Sequence, residues 1–415
     1  MRRRTLGAGV LLAAMLFVAN SVFATNGDRL ISSGGAARAM GGVGIASPLD
    51  TIGAIFSNPA AICSSSYCFK DYAYDISTTF FMPTTKAQIF INGEVDTKAE
   101  SDADFFIIPA IGMTWKTSEN SRVGLGIFGV SGMGVNYRNT SIDARYSAVP
   151  IMPYASGIYT ELQAMKVAPN VALRLDDNWS IGAALNIGYS SLDMNSGTSD
   201  DYPLGYQLGV IYANLPVSIG ITYTSPQKSR YKTVVDFDSD GLYDSMDLES
   251  PQMLGLGISY KGDKWIAEFD WRYYDWDDAA GYSDFNWRDQ QVYAIGFQYE
   301  ISPRWLIRFG YNHGDSPLRV FDNFDGTQNI TVQGKTMRRY YYETFRLVGF
   351  PAIIEDHFTV GAVYHKSTNF SVGLGIMYAP EETIEENGTD AFGNSARIES
   401  SLKEVSTELT LLWRF

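Results

Sequence analysis

The chain has 415 residues, of which 45% are hydrophobic, 14% aromatic and only 19% charged. Beyond the N-terminus no apolar run approaches the ~20 residues that a membrane-spanning helix needs, which excludes a helical membrane bundle. The net charge of -14 argues against nucleic-acid binding, and 3 His and 2 Cys leave little from which to build a metalloenzyme.

The first 24 residues have the three parts of a bacterial export signal. Three arginines open the chain, residues 7–19 are uncharged and mostly apolar, and small residues precede a cleavage site after Ala24. An uncleaved membrane anchor is the weaker alternative, because the apolar part is shorter than a bilayer span. We therefore expect residues 1–24 to be removed and the mature protein to be exported.

Residues 25–70 lack the alternation of a strand and are rich in Gly and Ala. Small residues let a backbone pack closely against its surroundings. Near the end of this segment Pro59 fixes its own φ angle, and Asn58 before it is pushed toward an extended geometry, so a kink is expected there. The segment either moves as part of a gate or simply turns the chain into the first strand.

The two cysteines of the chain, Cys63 and Cys68, are separated by four residues. An exported protein meets an oxidising compartment, where neighbouring cysteines form disulfides. We therefore expect a small local disulfide, with a metal-binding pair as the lesser alternative.

From Ala73 onward, one segment after another alternates between apolar and small or polar residues. In residues 181–189 the odd positions hold Ile, Ala, Leu, Ile and Tyr, and the even positions Gly, Ala, Asn and Gly. Such alternation places one set on a face suited to hydrocarbon and the other on a face suited to a lumen. The pattern predicts an all-β fold of fourteen strands, near residues 72–82, 104–116, 121–130, 161–175, 178–190, 205–213, 216–235, 251–261, 264–276, 288–301, 304–313, 356–366, 369–379 and 402–415.

The connections alternate between tight turns and long loops. The links after strands two, four, six, eight, ten and twelve are short, whereas the other links are long, and the longest spans residues 314–355. This asymmetry and the aromatic residues at strand ends are typical of a transmembrane antiparallel β-barrel of the Gram-negative outer membrane. A secreted β-sandwich is the weaker alternative. The last residue, Phe415, resembles the C-terminal signal by which such barrels meet their assembly machinery.

The third predicted strand contains the pattern G-x-G-x-x-G at residues 124–129, followed by Gly132 and Gly134. A dinucleotide-binding loop requires this pattern to close a strand and open a helix, and no helical periodicity follows here. Glycines inside a strand indicate a bulge or a kink instead. They either create an opening in the barrel or accommodate the adjacent N-terminal segment.

The loop after the seventh predicted strand reads D-x-D-x-D-G, with further carboxylates at the ninth and twelfth positions. This is the spacing of a calcium-binding loop, although the last position is Asp rather than Glu and no flanking helices are evident. The loop is either a structural Ca²⁺ site or an acidic solvated loop, and no other cofactor is expected. The candidate ligands are Asp236, Asp238, Asp240, Asp244 and Asp247.

Several motifs of this chain occur together in one known family. They are the stretch 26–29, the Gly/Ala-rich run 34–46, the segment 57–61 and, downstream, residues 145–146 and 168–182. In this combination the chain resembles the FadL/TodX family of outer-membrane transporters of long-chain fatty acids and other hydrophobic compounds. The resemblance implies a hatch over residues 25–70 that plugs a fourteen-stranded barrel of residues 71–415.

The resemblance also implies roles for individual residues. Hatch movement is expected to involve Gly41, Gly42, Asn58, Pro59 and Ala60. An inward-kinked third strand would open a lateral path into the membrane at Gly126, Gly129, Gly132 and Gly134. Ligand contacts are expected from one loop, at Arg145, Tyr146, Ile151, Met152 and Tyr154. Lys166 and Arg308 are further candidates to bind a carboxylate, which leaves fatty acid and neutral hydrocarbon both open.

No catalytic motif is present, so we do not expect an enzyme. The predicted function is uptake of fatty acids or hydrocarbons, with binding in an apolar lumen pocket, hatch rearrangement and lateral release at the third strand. The expected surroundings are outer-membrane lipid and lipopolysaccharide, and we expect a monomer. The alternative is a passive polar porin or a surface adhesin barrel. The predicted lumen residues Glu268, Asp270 and Glu408 would suit a polar channel. A plugged lumen would argue against the porin.

Overall fold

The computed structural model describes residues 25–47, 49–64, 71–143, 158–238 and 240–415. The predicted signal peptide therefore lies outside the described residues. Fourteen strands, which we number in chain order, form the wall of a barrel: β1 (Tyr72–Ile91), β2 (Phe106–Ser118), β3 (Ser121–Asn136), β4 (Tyr159–Arg174), β5 (Trp179–Asp193), β6 (Leu204–Asn214), β7 (Val217–Thr224), β8 (Met253–Lys261), β9 (Trp265–Tyr274), β10 (Gln290–Ser302), β11 (Trp305–Gly314), β12 (Asp356–His365), β13 (Phe370–Thr389) and β14 (Ser395–Arg414).

Each wall strand pairs antiparallel with its neighbours in the chain, and β14 pairs with β1 along almost its whole length, which closes the barrel. Closure leaves no free sheet edge, as a membrane-spanning sheet requires. The predicted fourteen strands are confirmed, and short turns alternate with long loops except after β13, where the predicted long link is only residues 390–394. We call the two ends of the barrel the short-turn end and the long-loop end.

None of the helices within the described ranges is long and apolar enough to cross a membrane.

The outer surface of the barrel is apolar between two belts of aromatic residues. The predicted outward positions of β5 are exposed, among them Ile181, Leu185 and Ile187, whereas Ala184 and Asn186 between them are buried. Exposed apolar surface on this scale suits a hydrocarbon surrounding. Ring pairs mark the short-turn end at Trp179–Tyr212, Tyr260–Trp265 and Trp305–Tyr364, and the long-loop end at Tyr189–Tyr202, Tyr206–Tyr223 and Tyr311–Phe358.

Four strands are clearly longer than the sequence pattern indicates: β3 continues to Asn136 rather than ending at residue 130, and three others extend further still. β1, β13 and β14 each have 20 residues. The predicted ends of β1 and β13, at residues 82 and 379, and the predicted start of β14, at residue 402, were therefore wrong. A tilted membrane crossing needs only ~9–11 residues, so these strands extend far beyond the long-loop belt. Their outward positions become polar there, as at Lys86, Glu381 and Lys403, and the apolar alternation stops while the backbone ladder continues.

The predicted seventh strand, residues 216–235, is in fact two strands. β7 ends at Thr224, and Pro226 interrupts the ladder because it has no N–H to donate. The chain resumes as Gln227–Val235, which pairs with Asp244–Ser250 in a separate hairpin at the long-loop end.

The long loops pack together over the long-loop end of the barrel. Their largest apolar cluster contains Trp276, Trp287, Phe285 and Phe345, all buried. The loops also contain the strands Glu94–Glu100, Ser199–Asp201, Asp322–Phe324, Asn329–Val332 and Lys335–Arg338, an α-helix at Arg339–Thr344 and a π-helical turn at Phe345–Gly349.

The described residues within 25–64, which we call the N-terminal segment, lie inside the barrel, and nearly all of them are buried. Asp50 accepts a hydrogen bond from the Gly53 N–H and so caps the longer helix of the segment. The segment contains the strands Thr25–Asn26 and Arg29–Leu30, the α-helices Gly35–Arg38 and Thr51–Ser57, and the 3-10 helix Pro59–Cys63.

Candidate functional site

Carboxylates on the inner face of the barrel hold the N-terminal segment by its backbone. Asp270 accepts hydrogen bonds from the N–H groups of Gly44 and Ile45, at 3.0 and 3.2 Å. Glu268, two residues away on β9, accepts from the N–H groups of Ala46 and Ser47, at 2.8 and 3.2 Å. Four hydrogen bonds to two neighbouring buried carboxyl groups therefore fix the backbone of this turn of the segment.

A second contact region lies on the opposite arc of the barrel. Arg38 forms an ion pair with Glu408 at 3.4 Å and donates a hydrogen bond to the Ser406 hydroxyl at 3.0 Å. Glu268, Asp270 and Glu408 are among the lumen residues that would suit a polar channel. In this structure they bind the N-terminal segment.

Asn58, predicted from the Asn-Pro-Ala triplet, ties the segment both to itself and to the wall. Its side-chain oxygen accepts from the Ala60 N–H at 3.0 Å and so caps the 3-10 helix, which begins at Pro59. Its amide nitrogen donates to the carbonyl of Ile45 at 2.9 Å and to wall carbonyls on β6 and β7 at 3.3 Å. The triplet therefore forms the predicted kink and also anchors the segment.

Glycines on the inner face form a belt around the N-terminal segment, which the sequence pattern did not predict. At each of these positions a Cβ atom would lie within 3.0 Å of the segment, which is closer than real Cβ contacts come. Within the segment, Gly41 and Gly42 have positive φ angles. A Cβ atom at Gly41 would lie too close to the backbone of Tyr311, and one at Gly42 too close to the backbone of Ile31. The sequence feature that could have predicted the belt is a glycine at the middle inward-facing position of many strands. The belt consists of Gly112, Gly182, Gly209, Gly220, Gly257, Gly296, Gly310 and Gly361.

The third strand leaves its neighbour partway up the wall. The β2–β3 ladder ends at Ala110–Phe128, although β2 continues to pair with β1 as far as Phe106. The upper part of β3 pairs with β4 and, at Ser131, with Arg29 of the N-terminal segment. Residues 128–135 of β3 are all buried, so this part bends into the barrel.

The four predicted glycines occupy different places along this bend. Gly126 lies in the paired part of β3, and Gly129 borders a register shift of the β3–β4 ladder. Gly132 and Gly134 lie in the part that has no pairing with β2. The predicted kink therefore coincides with a gap in the wall between β2 and β3, which we call the β2–β3 gap.

A cavity of about 40 Å³ lies beside this bend, on the long-loop side of the N-terminal segment. Asp28 and Arg29 of the segment, Val130 and Ser131 of β3, and Lys166 of β4 are among its lining residues. The volume is enough for a carboxylate or a few water molecules, because one water needs roughly 10–15 Å³. An entire long acyl chain would require the surrounding elements to move.

Lys166 is a buried cation in this cavity. Its side chain is 4% exposed, and its ammonium lies 5.8 and 5.6 Å from the ring centres of Phe56 and Phe128. Within the part of the chain that the structure describes, no carboxylate forms an ion pair with it. A buried charge without a counter-charge is costly, and the two aromatic faces compensate for only part of that cost. The site therefore favours an anion beside Lys166.

The other predicted ligand residues are not gathered at this cavity. Arg145, Tyr146, Ile151, Met152 and Tyr154 lie outside the described residues. Arg308 donates a hydrogen bond to Gln298 at 2.8 Å and lies on the short-turn side of the glycine belt, away from the cavity.

The acidic loop brings together only part of the predicted calcium site. Carboxylate oxygens of Asp236, Asp238 and Asp244 lie within 4.8 Å of one another, whereas Asp240 and Asp247 are not in this group. Lys335, from another loop, places its ammonium 3.0 Å from Asp238 and 2.9 Å from Asp244. Hydrogen bonds to Asp244 and Asp238 raise the pKa of Lys335, so a protein cation already occupies this place.

Cys63 ends the 3-10 helix and is disulfide-bonded. Its expected partner, Cys68, lies outside the described residues.

Comparison with known proteins agrees with this geometry. Residues 16–199 match the family model described as outer membrane protein transport protein (OMPP1/FadL/TodX). No curated protein sequence matches the chain.

Solved structures with the same fold cover nearly the whole chain. A Pseudomonas aeruginosa FadL homologue matches with a TM-score of 0.67 and 13% identity, over 94% of this chain and 100% of that one. The Pseudomonas putida toluene transporter TodX matches with a TM-score of 0.66 and 16% identity, over 94% and 100%. The Ralstonia pickettii toluene transporter TbuX matches with a TM-score of 0.64 and 15% identity, over 94% and 99%.

At these identities the solved structures show a common fold, and the family model adds a match in sequence. The proteins matched are transport proteins and not enzymes. The closed barrel with its apolar outer face and aromatic belts agrees with their location in the outer membrane. Residues 16–199 of this chain therefore match the OMPP1/FadL/TodX family of outer-membrane transport proteins in sequence, and the barrel shares the fold of a FadL homologue and of TodX.

Proposed function

We propose that this protein takes up hydrophobic carboxylates, with long-chain fatty acids as the main class, across the outer membrane. The observation that carries the proposal is the buried ammonium of Lys166, which has no ion-pair partner among the described residues and lines a cavity beside the β2–β3 gap. A carboxylate would supply the missing counter-charge. The apolar neighbours Val130, Leu162 and Ala164 would contact the first carbons of its chain.

Release of the ligand sideways, into the membrane, is the second part of the proposal. Each CH₂ group moved from hydrocarbon into water costs about 0.8 kcal/mol, so an aqueous exit is unfavourable for a long chain. The β2–β3 gap supports a lateral exit, because the ladder between these strands stops beside the cavity.

The third part is a gating role for the N-terminal segment as a hatch. Its support is the way the segment fills the lumen within the glycine belt. Removal of residues 25–62 should turn a poorly conducting barrel into a leaky one in a planar bilayer. Unchanged conductance would rule out the plug and favour the polar porin.

The carboxylate site is tested by substitution of Lys166 by Met, which removes the charge and keeps most of the length. We expect the variant to bind hexadecanoate about 10-fold or more weakly, since a hydrogen bond to a charged group contributes roughly 1.5–3 kcal/mol. Binding of hexadecanol, which has no charge, should change little. Lys403→Met is the matched control, because the Lys403 ammonium lies over Tyr378 on the outer side of the barrel. Equal loss for both ligands would contradict a carboxylate site.

Neutral monoaromatic hydrocarbons are the second candidate ligands. Phe56 and Phe128 lie edge to face beside Lys166, with ring centres 5.4 Å apart, and such rings suit an aromatic ligand. TodX and TbuX are described as toluene transporters. Binding of toluene without binding of hexadecanoate would favour this alternative.

A further inference from the structure

Asp28 is a buried carboxyl group that lines the same cavity as Lys166. Its side chain is only 2% exposed and lines the cavity together with Arg29. One carboxylate oxygen, Oδ2, accepts hydrogen bonds from the Ser131 hydroxyl at 2.7 Å and from the Tyr282 hydroxyl. The other oxygen, Oδ1, is buried and has no hydrogen-bond partner in the described part of the chain.

The two partners of Asp28 belong to two different parts of the molecule. Ser131 lies in the part of β3 that bends away from β2. Tyr282 belongs to the cluster at the long-loop end, where its ring lies 4.7 Å from that of Trp276 and 4.5 Å from that of Trp287. One carboxylate therefore ties the N-terminal segment both to the bent strand and to the loops that cover the barrel.

The main chain of the same residue reinforces the connection to β3. The carbonyl of Asp28 accepts a hydrogen bond from the Gly132 N–H at 3.1 Å, and Arg29 pairs with Ser131. If Asp28 moves, β3 loses side-chain and main-chain partners together. Its position is thus coupled to the edge of the β2–β3 gap.

We infer that Asp28 is the positioning residue that couples carboxylate binding to movement of β3 and of the covering loops. The inference rests on the proposed function. A ligand carboxylate beside Lys166 brings a second negative charge into a cavity that already holds Asp28, and like charges repel strongly at short range in a buried site. Asp28 then leaves its place, and its hydrogen bonds to Ser131 and Tyr282 break. An uncharged ligand does not produce this repulsion.

The test compares Asp28→Asn with Ser131→Ala in the full-length protein. Asn keeps the shape and an oxygen acceptor but removes the charge, whereas the Ser131 variant keeps the charge and removes one bond. Asp28→Asn should bind hexadecanoate about fivefold or more tightly, within the usual range of site-to-site coupling, and should take it up more slowly into cells. Ser131→Ala should take up hexadecanoate at least as fast as the wild type. Asp28→Asn should change the binding of hexadecanol much less than the binding of hexadecanoate.

Hydrogen exchange supplies a readout that a merely structural role would not change. Hexadecanoate should speed amide exchange in residues 129–136 and 276–287 of the wild type but not of Asp28→Asn. The folded state of each variant is checked by the heat-dependent gel migration of the barrel. The inference about Asp28 would be overturned if Asp28→Asn bound hexadecanoate as the wild type does, or bound it more tightly and took it up faster. The proposed function would survive either result. If the wild type bound neither hexadecanoate nor hexadecanol, the proposed function would be overturned as well.

Discussion

Replacement of Gly220 by Ala tests whether the glycine belt seats the N-terminal segment. A Cβ atom at Gly220 would lie 2.1 Å from the Ile45 carbonyl oxygen and 2.7 Å from its carbon. Ordinary contact begins at 3.4 Å, so the segment or the strand must move by about 3.4 − 2.1 = 1.3 Å. Both contacts are backbone atoms, which cannot rotate away. Overpacking of this kind costs roughly 1–3 kcal/mol.

That cost falls on the seated state of the segment and not on a displaced state. A difference of roughly 1–3 kcal/mol corresponds to a 5–150-fold change in the ratio of the two states. If only the displaced state conducts ions, the open fraction in planar-bilayer recordings should rise by a similar factor. Gly375→Ala is the matched control, because a Cβ there would have its nearest neighbour at 3.8 Å. Equal conductance of the two variants would refute the idea that the belt holds the segment in place.

Two further predictions concern residues outside the cavity. Asn58→Ala removes the donor to the Ile45 carbonyl and to two wall carbonyls, so hydrogen exchange in residues 58–63 should become faster, and equal rates in both proteins would contradict an anchoring role. Lys335→Gln removes the ammonium between Asp238 and Asp244, so calorimetry with CaCl₂ should detect Ca²⁺ binding at this loop only in the variant. Calcium binding by the wild type at the same loop would show that Lys335 does not exclude the ion.

The sequence pattern predicted the barrel because the membrane imposes it on every strand. Between the aromatic belts one face must be apolar, so the alternation marks each crossing, and all fourteen strands were found. Beyond the long-loop belt the outward positions of β13 and β14 are polar, and the ends of these strands were misplaced. The strands continue there by backbone pairing, and an apolar outward face no longer indicates them in the sequence.

Predictions for the site were less complete because its contacts are remote in sequence. Asn58 was singled out by the local chemistry of its triplet. Glu268 and Asp270 were interpreted as part of a possible polar channel, since nothing near them in sequence indicates that Gly44 and Ala46 are their partners. Asp28 belongs to a motif of the family resemblance, but its connection to Tyr282 spans 254 positions. Only the folded chain shows such a contact.

The N-terminal segment and the β2–β3 gap cannot be treated as independent parts. Above Ala110–Phe128, β2 no longer supplies hydrogen bonds to β3, and the segment supplies some of them through Asp28 and Arg29. A buried backbone group without a partner is costly, and a net hydrogen bond contributes about 0.5–1.5 kcal/mol. When the segment moves, β3 must therefore find other partners, either in water or in the free part of β2. Any displacement of the segment must therefore change the hydrogen bonding of β3 at the edge of the β2–β3 gap.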